Sequence, residues 1–154
     1  MEFYLFSAAK MVHIASLIFW LGPTLGSWWV LINIRKGHQS SGYQLAYKIF
    51  LQTLWVEHIA FIALLASGAT MATLFHFWGQ PWLNMKLGII LAVIIPLEII
   101  DIYIGNFYLP KHFNIDRPSQ LEKFYHGPFT KTAIALIPLS VFSLFILAVA
   151  KPTP

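Results

Sequence analysis

The stretch Leu87–Tyr108, LGIILAVIIPLEIIDIYIGNFY, decides the fold of this chain, because it is a long run of mainly apolar residues. Its only charged side chains are Glu98 and Asp101. About 20 residues of α-helix cross the hydrocarbon core of a bilayer. The stretch is therefore long enough to span a membrane, with both carboxyl groups inside it. An ionisable side chain in hydrocarbon costs at least about 2.5 kcal/mol, so such residues usually face protein and serve a ligand or a proton path.

Three further stretches, residues 5–31, 51–75 and 132–150, have the same apolar character. The whole chain of 154 residues is 58% hydrophobic and 10% charged, whereas soluble domains are about 25% charged. The connections are too short to form a soluble domain with its own core. We predict one transmembrane domain over residues 1–154, an all-α integral membrane four-helix bundle with antiparallel, up-and-down transmembrane helices at about 5–31, 51–75, 87–108 and 132–150.

Proline residues and one capping pattern predict further features of this bundle. Pro23 and Pro96 predict a kink or break in the first and third helices, because proline has no N–H to donate. Ser119, followed three residues later by Glu122, has the spacing of a capped helix start. It predicts a short surface helix at about 119–126, ahead of the fourth transmembrane helix.

The formal net charge of +4 comes from basic loop residues that set the orientation of a membrane protein. We therefore expect no nucleic-acid partner. Loops rich in lysine and arginine stay on the cytoplasmic side of a membrane. We therefore predict a multi-pass protein of the bacterial inner membrane, surrounded by the lipid bilayer, with both termini on the outer side. The basic residues of the first and third connections and their edges are Arg35, Lys36, Lys48, Lys111, Arg117, Lys123 and Lys131.

Several function classes find no support in the sequence. The chain has no cysteine, which excludes disulfides, thiolate metal ligands and dithiol redox chemistry. It also lacks the GxGxxG, P-loop, HExxH and GxSxG motifs of nucleotide-binding proteins and hydrolases. If this protein transfers electrons, a bound cofactor must carry them.

His13 in the first helix and Lys86 at the start of the third fall at the outer edge of the hydrocarbon in this topology. An imidazole nitrogen is a good axial ligand for haem iron. A lysine amine kept neutral by burial could be the opposite ligand, and both residues are candidate metal ligands. The alternatives are a histidine bonded to a neighbouring carbonyl group and a lysine whose ammonium group reaches the headgroups.

Glu57, His58, Glu98 and Asp101 form a second polar group in the inner half of the bundle. Glu98 and Asp101 are three residues apart and share one helical face. Carboxylates with an imidazole can bind a divalent metal or move protons. Glu57, Glu98 and Asp101 are therefore candidate catalytic proton acceptors and His58 a candidate metal ligand, unless these groups only pair with one another between helices.

Three segments carry a family resemblance: KMVHIASLIFWLG at 10–22, PWLNMK at 81–86 and AVAKP at 148–152. They resemble the opening, the start of the third helix and the ending of the HemJ-type protoporphyrinogen oxidases. These four-span proteins are grouped with the membrane domain of the copper-resistance protein CopD and with DUF2269, to which Gly22–Gly26 and Phe107–Pro110 are more similar. The resemblance implies that His13 and Lys86 bind haem b.

The expected function is that of a haem b-binding membrane oxidoreductase that acts on a porphyrinogen and passes electrons to a quinone. His13 is then the axial ligand, and Lys86 the second ligand or an anchor for the haem carboxylates. One alternative is a CopD-like copper-handling protein, in which Met11 and Met85 join His13. Another is a non-catalytic, DUF2269-like accessory subunit, in a homodimer or a larger membrane complex.

Overall fold

The computed structural model describes residues 2–36, 40–112 and 118–150, so Arg117 and the Lys151–Pro152 ending lie outside it. Every regular element within the described residues is helical, which confirms the all-α prediction. Four helical stretches are long and apolar enough to cross a membrane. The chain is therefore a multi-pass membrane protein. We refer to these stretches as spans 1 to 4: Phe3–Ile34, Gly42–Leu74, Pro81–His112 and Gln120–Ala150.

The chain divides into two compact units, Met1–His76 and Phe77–Pro154. In the first unit, span 1 consists of α1 (Glu2–Leu21) and α2 (Pro23–Lys36), and both helices pack against α3 (Ser40–Leu74). The predicted break lies at Gly22, between α1 and α2. The Gly22 N–H donates to the Ile18 carbonyl at 3.0 Å, so helical hydrogen bonding continues up to Gly22.

The second helix begins earlier than the predicted residue 51, because an apolar stripe continues through the preceding segment. Tyr43, Ala46, Tyr47 and Phe50 follow the i, i+3, i+4, i+7 spacing of one helical face, and all four are buried. At about 1.5 Å per residue, the 33 residues of span 2 exceed the roughly 30 Å of a hydrocarbon core. Part of α3 therefore extends beyond the hydrocarbon.

The tightest packing of the first unit lies where α2 ends and α3 begins. Leu54 has no exposed surface, and Leu31, Tyr47 and Phe50 are each 2% exposed. Farther along α3, the ring centroid of Phe61 lies 5.4 Å from the ring centroid of Trp20 on α1. Many other large apolar side chains of the unit are exposed, as expected where lipid is the solvent.

The second unit contains spans 3 and 4, in which α-helical and π-helical segments alternate. In a π-helix, each N–H bonds to the carbonyl five residues earlier instead of four. Span 3 is α4 (Pro81–Ile89), π1 (Ile90–Ile94), α5 (Ile95–Asp101), π2 (Ile102–Tyr108) and α6 (Leu109–His112). Span 4 is α7 (Gln120–Phe124), π3 (Tyr125–Phe129) and α8 (Thr130–Ala150).

Each π segment lies at a proline: π1 just before Pro96, π2 just before Pro110 and π3 around Pro128. A proline in an α-helix leaves the carbonyl four residues earlier without its donor. In a π turn, the N–H of the following residue can reach that carbonyl. The disturbance predicted at Pro96 thus takes the form of a π segment, and the span remains helical throughout.

Span 4 begins at the predicted cap. The Ser119 hydroxyl accepts a hydrogen bond from the Glu122 N–H at 3.1 Å, and Ser119 has the extended backbone of an N-cap. The helix then continues through Gly127 and Pro128 into α8. The predicted short surface helix is therefore the first part of a long one, because π3 accommodates the proline that would interrupt an α-helix.

Packing in α3 can be tested with a matched pair of substitutions. Leu54→Ala should lower the free energy of unfolding by about 2 kcal/mol or more, because it leaves a cavity at a fully buried position. Ile62, which is 64% exposed, should cost only about 0.5 kcal/mol when replaced by alanine. Denaturation of the detergent-purified protein, followed by circular dichroism, measures both. An equal loss in the two variants would contradict the described packing.

Candidate functional site

His13 on α1 is half-buried and bonds to α3 through one ring nitrogen. Its Nδ1 lies 3.0 Å from the Leu64 carbonyl oxygen and 3.1 Å from the Ser67 hydroxyl. A carbonyl oxygen can only accept a hydrogen bond, so Nδ1 is assigned the proton. In the neutral ring, the lone pair is then on Nε2.

Ser67 and Gly68 explain why the ring lies there. The Ser67 hydroxyl, which is within reach of the Ala63 and Leu64 carbonyls at 2.7 and 3.0 Å, gives its single proton to its own helix. Towards His13 it therefore acts as an acceptor. A Cβ atom on Gly68 would lie 3.2 Å from Cε1 of His13, closer than an ordinary contact, so the imidazole packs against bare backbone.

This arrangement contains the bond that one alternative interpretation of His13 predicted, a histidine bonded to a neighbouring carbonyl. It is also the arrangement that metal-binding histidines commonly show, in which the second ring N–H donates to a backbone carbonyl. Leu64, Ser67 and Gly68 belong to the candidate site, and sequence reasoning did not assign them to it. The only signal was the small-residue pair Ser67-Gly68 within an apolar helix.

Lys86 belongs to the second unit, on α4, and its side chain is half-buried. Its Nζ atom lies 5.7 Å from the ring centroid of Trp82, one turn earlier on the same helix. The face of an indole attracts a cation, so Trp82 is a candidate partner for the Lys86 side chain. The role of Lys86 as a haem ligand stays a prediction.

Glu57 and His58 are both buried in α3, at 9% and 4% exposure. Glu98 on α5 is 3% exposed. These values agree with ionisable side chains that avoid lipid and face protein. Their predicted roles as proton acceptors and metal ligand stay predictions.

Asp101, at the end of α5, is joined to span 4. The Tyr125 hydroxyl donates to Oδ1 of Asp101 at 2.6 Å. Two further polar side chains of the second unit, Asn106 and Glu122, are 7% and 2% exposed. Sequence reasoning treated Glu122 only as a helix-start residue and missed Asn106 and Tyr125, because nothing in their local spacing distinguishes them from interfacial residues.

Among residues 2–36, 40–112 and 118–150, no three histidine, cysteine, aspartate or glutamate side chains are grouped as a metal ion would need. Haem does not require such a group, because the porphyrin supplies four nitrogens and the protein adds axial ligands. The methionines of the copper hypothesis are largely exposed, Met11 at 72% and Met85 at 47%. The described contacts fix the orientation of the His13 ring, and its role as an axial ligand stays a prediction.

A groove of about 400 Å³ lies between α2 and α3 in the first unit. The hydroxyl oxygens of Ser27 and Thr53 are 2.6 Å apart there, and both groups also reach backbone carbonyls of their own helices. Their hydrogen-bonding capacity is thus largely used, and the surface offered to the bilayer is mainly apolar. The groove is lined by Gly22, Pro23, Gly26, Ser27, Val30, Ala46, Ile49 and Thr53.

Comparison with protein-family models, with curated proteins and with solved structures finds no match to this chain.

The tautomer of His13 is directly measurable. In protein labelled with ¹⁵N-histidine, we expect the His13 ring to show the Nδ1-protonated form, because Leu64 offers an acceptor to that atom. Gly68→Ala should shift these ring resonances, since the added Cβ would force the imidazole to move. His13→Ala assigns the signals, and a His13 ring protonated only at Nε2 would contradict the geometry.

Proposed function

We propose that this protein binds haem b within the membrane through His13 and takes part in electron transfer. The observation that supports the proposal best is the hydrogen bonding of Nδ1 to the Leu64 carbonyl and the Ser67 hydroxyl. An axial ligand must present an unprotonated nitrogen in a fixed direction. A carbonyl that holds the other ring nitrogen sets both the tautomer and the ring orientation, and it raises the basicity of the ligand.

When bound, haem would supply the one-electron chemistry. The protein's contribution would be to orient the ligand, to exclude water with apolar helices and to handle protons. The resemblance to the HemJ-type oxidases extends the proposal to oxidation of a porphyrinogen, with a membrane quinone as the electron acceptor. Lys86 stays in the proposal as a ligand or carboxylate anchor, without an assigned geometry.

Oxidation of a porphyrinogen releases protons together with electrons, so buried carboxyl groups are suited to accept them. In the first unit, Glu57 lies on α3, the helix whose Leu64 and Ser67 form hydrogen bonds with His13 of α1. It precedes Leu64 by seven residues, about 10 Å along a helix axis. In the second unit, Glu98 and Asp101 are the corresponding candidates.

The copper-handling and accessory-subunit alternatives stay predictions. Met11 and Met85 are exposed, and the exposed apolar surface of the spans is what a bilayer alone would cover. A visible spectrum and a metal analysis of the purified protein separate both alternatives from haem binding.

The proposal predicts a haem spectrum that depends on His13. Protein expressed in haem-replete cells and purified in detergent should show a Soret band that shifts on reduction, with stoichiometric haem by pyridine haemochrome assay. His13→Ala should abolish the band, and Ser67→Ala should weaken haem affinity by about 10-fold, as loss of a partner to a ligating histidine does. His76→Ala, at an exposed histidine of the same unit, is the matched control and should retain the band.

A colourless protein, or an unchanged band in His13→Ala, would remove the haem assignment. Metal analysis of the same sample then tests the copper alternative, with a Met11→Leu/Met85→Leu double variant as its control. Co-purification of a larger, colourless and metal-free complex would favour the accessory subunit.

A further inference from the structure

The groove between α2 and α3 runs along the two helices and has two different ends. At its inner end, the Ser27 hydroxyl of α2 lies 2.6 Å from the Thr53 hydroxyl of α3. Towards its outer end, the groove is lined by Val30 and Ala46. Span 1 ends four residues after Val30 and span 2 begins four residues before Ala46, about 6 Å along each helix. The groove therefore extends from within the spans to the end at which both of them stop.

The hydroxyl protons at the inner end are used within the protein. The Thr53 hydroxyl reaches the Phe50 carbonyl at 2.7 Å, and the Ser27 hydroxyl reaches the Thr24 carbonyl at 3.0 Å. The two hydroxyls have only two protons for these carbonyls and for their contact with each other. They therefore offer a ligand no hydrogen-bond donor. An apolar chain needs none, and the groove suits such a chain better than a polar molecule.

The groove is open to an occupant from outside the chain. A Cβ atom added to Gly26 would meet nothing within 4 Å, so packing within the described residues does not require glycine there. Val30 and Ile49, on the two sides of the groove, are 51% and 45% exposed. The volume of about 400 Å³ is in the range of ligand-binding clefts, roughly 300–1,000 Å³. In a bilayer, a lipid chain or another helix covers such a surface.

The two helices bring only positive charges to the outer end of the groove. Arg35 and Lys36 form the end of α2 and follow span 1 directly. Lys48 is exposed on α3, one residue before Ile49 of the groove. Residues 3–56 contain no aspartate or glutamate that could neutralise these charges. Basic sites between transmembrane helices are suited to the negative head groups of phospholipids.

The same charges disfavour a second copy of the chain as the occupant. Copies of one membrane protein share one orientation in the bilayer. A symmetric contact through the groove would therefore place the same residues of both copies side by side. Arg35, Lys36 and Lys48 would meet their counterparts at one level, with no carboxylate from residues 3–56 among them. An anionic lipid meets these residues with the opposite charge.

We propose that the groove between α2 and α3 is a binding site for an anionic phospholipid. One acyl chain lies along the groove and covers the open backbone at Gly26. The phosphate lies at the outer end, where Arg35, Lys36 and Lys48 supply the positive charge. The bound lipid thereby joins α2 to α3 over a surface that the side chains of the protein leave open. This partner is separate from haem, and its binding does not depend on His13.

The head-group preference can be measured by native mass spectrometry of the full chain in detergent with added lipid. The wild-type protein should bind its first phosphatidylglycerol at least about 5-fold more tightly than phosphatidylcholine with the same acyl chains. Arg35→Gln/Lys36→Gln should weaken phosphatidylglycerol binding by about 5-fold for each charge removed and leave phosphatidylcholine binding unchanged. Lys111→Gln/Lys123→Gln, which removes two charges from the second unit, is the matched control and should bind as wild type.

The groove itself is tested by filling it. Gly26→Leu should abolish the first binding step for both lipids, because the new side chain occupies the place of the acyl chain. Gly88→Leu is the matched control and should bind as wild type, since Gly88 is an exposed glycine of α4 where a Cβ atom also meets nothing within 4 Å. Circular dichroism checks the fold of each variant. If Gly26→Leu does not fold, the Arg35→Gln/Lys36→Gln result decides.

Three results would overturn the proposal. The first is equal affinity of the wild-type protein for the two lipids. The second is phosphatidylglycerol binding that persists unchanged in folded Gly26→Leu or in Arg35→Gln/Lys36→Gln. The third is a lipid-free dimer that Gly26→Leu dissociates, which would assign the groove to a second copy. The haem measurements do not affect any of these outcomes.

Discussion

Hydrocarbon offers no partner to a backbone N–H or C=O group, and this constraint determines the structure. It makes every described segment that can span a membrane a continuous or nearly continuous helix. It also explains what happens at the prolines. At Pro96, Pro110 and Pro128 the spans take π geometry and continue, whereas Pro138 lies inside α8 without a π segment.

The same constraint acts on polar side chains. Ser67 gives its proton to its own helix and accepts from His13, so that an imidazole can lie at a helix–helix contact with its Nδ1–H bonded. Similarly, the Tyr125 hydroxyl donates a hydrogen bond to the Asp101 carboxylate. In both cases one partner comes from a neighbouring helix, and the bond serves two purposes, because it satisfies the polar group and fixes its orientation.

The candidate site was predictable in part. His13 could be singled out because an imidazole inside an apolar helix is uncommon and chemically useful. Its partners could not, because Leu64 contributes only a backbone oxygen and Gly68 only the absence of a side chain. The backbone oxygen of Leu64 leaves no mark in the sequence, and the Ser67-Gly68 pair indicates a close helix contact without naming His13 as its partner. The link from Asp101 to Tyr125 was equally hidden, since it depends on which faces of spans 3 and 4 meet.

The sequence by itself determined the helical, membrane-spanning character of the protein, because runs of apolar residues of bilayer length leave no other solution for the backbone. It also indicated disturbances at Pro23 and Pro96, because proline removes a donor, but it pointed to Pro138 in the last span, where α8 stays α-helical, and not to Pro128, where the π segment lies. Only the tertiary structure decided the form of those disturbances, the length of the helices beyond the hydrocarbon and the partners of His13 and Asp101. These features depend on contacts between residues far apart in the chain, and local spacing carries no record of them.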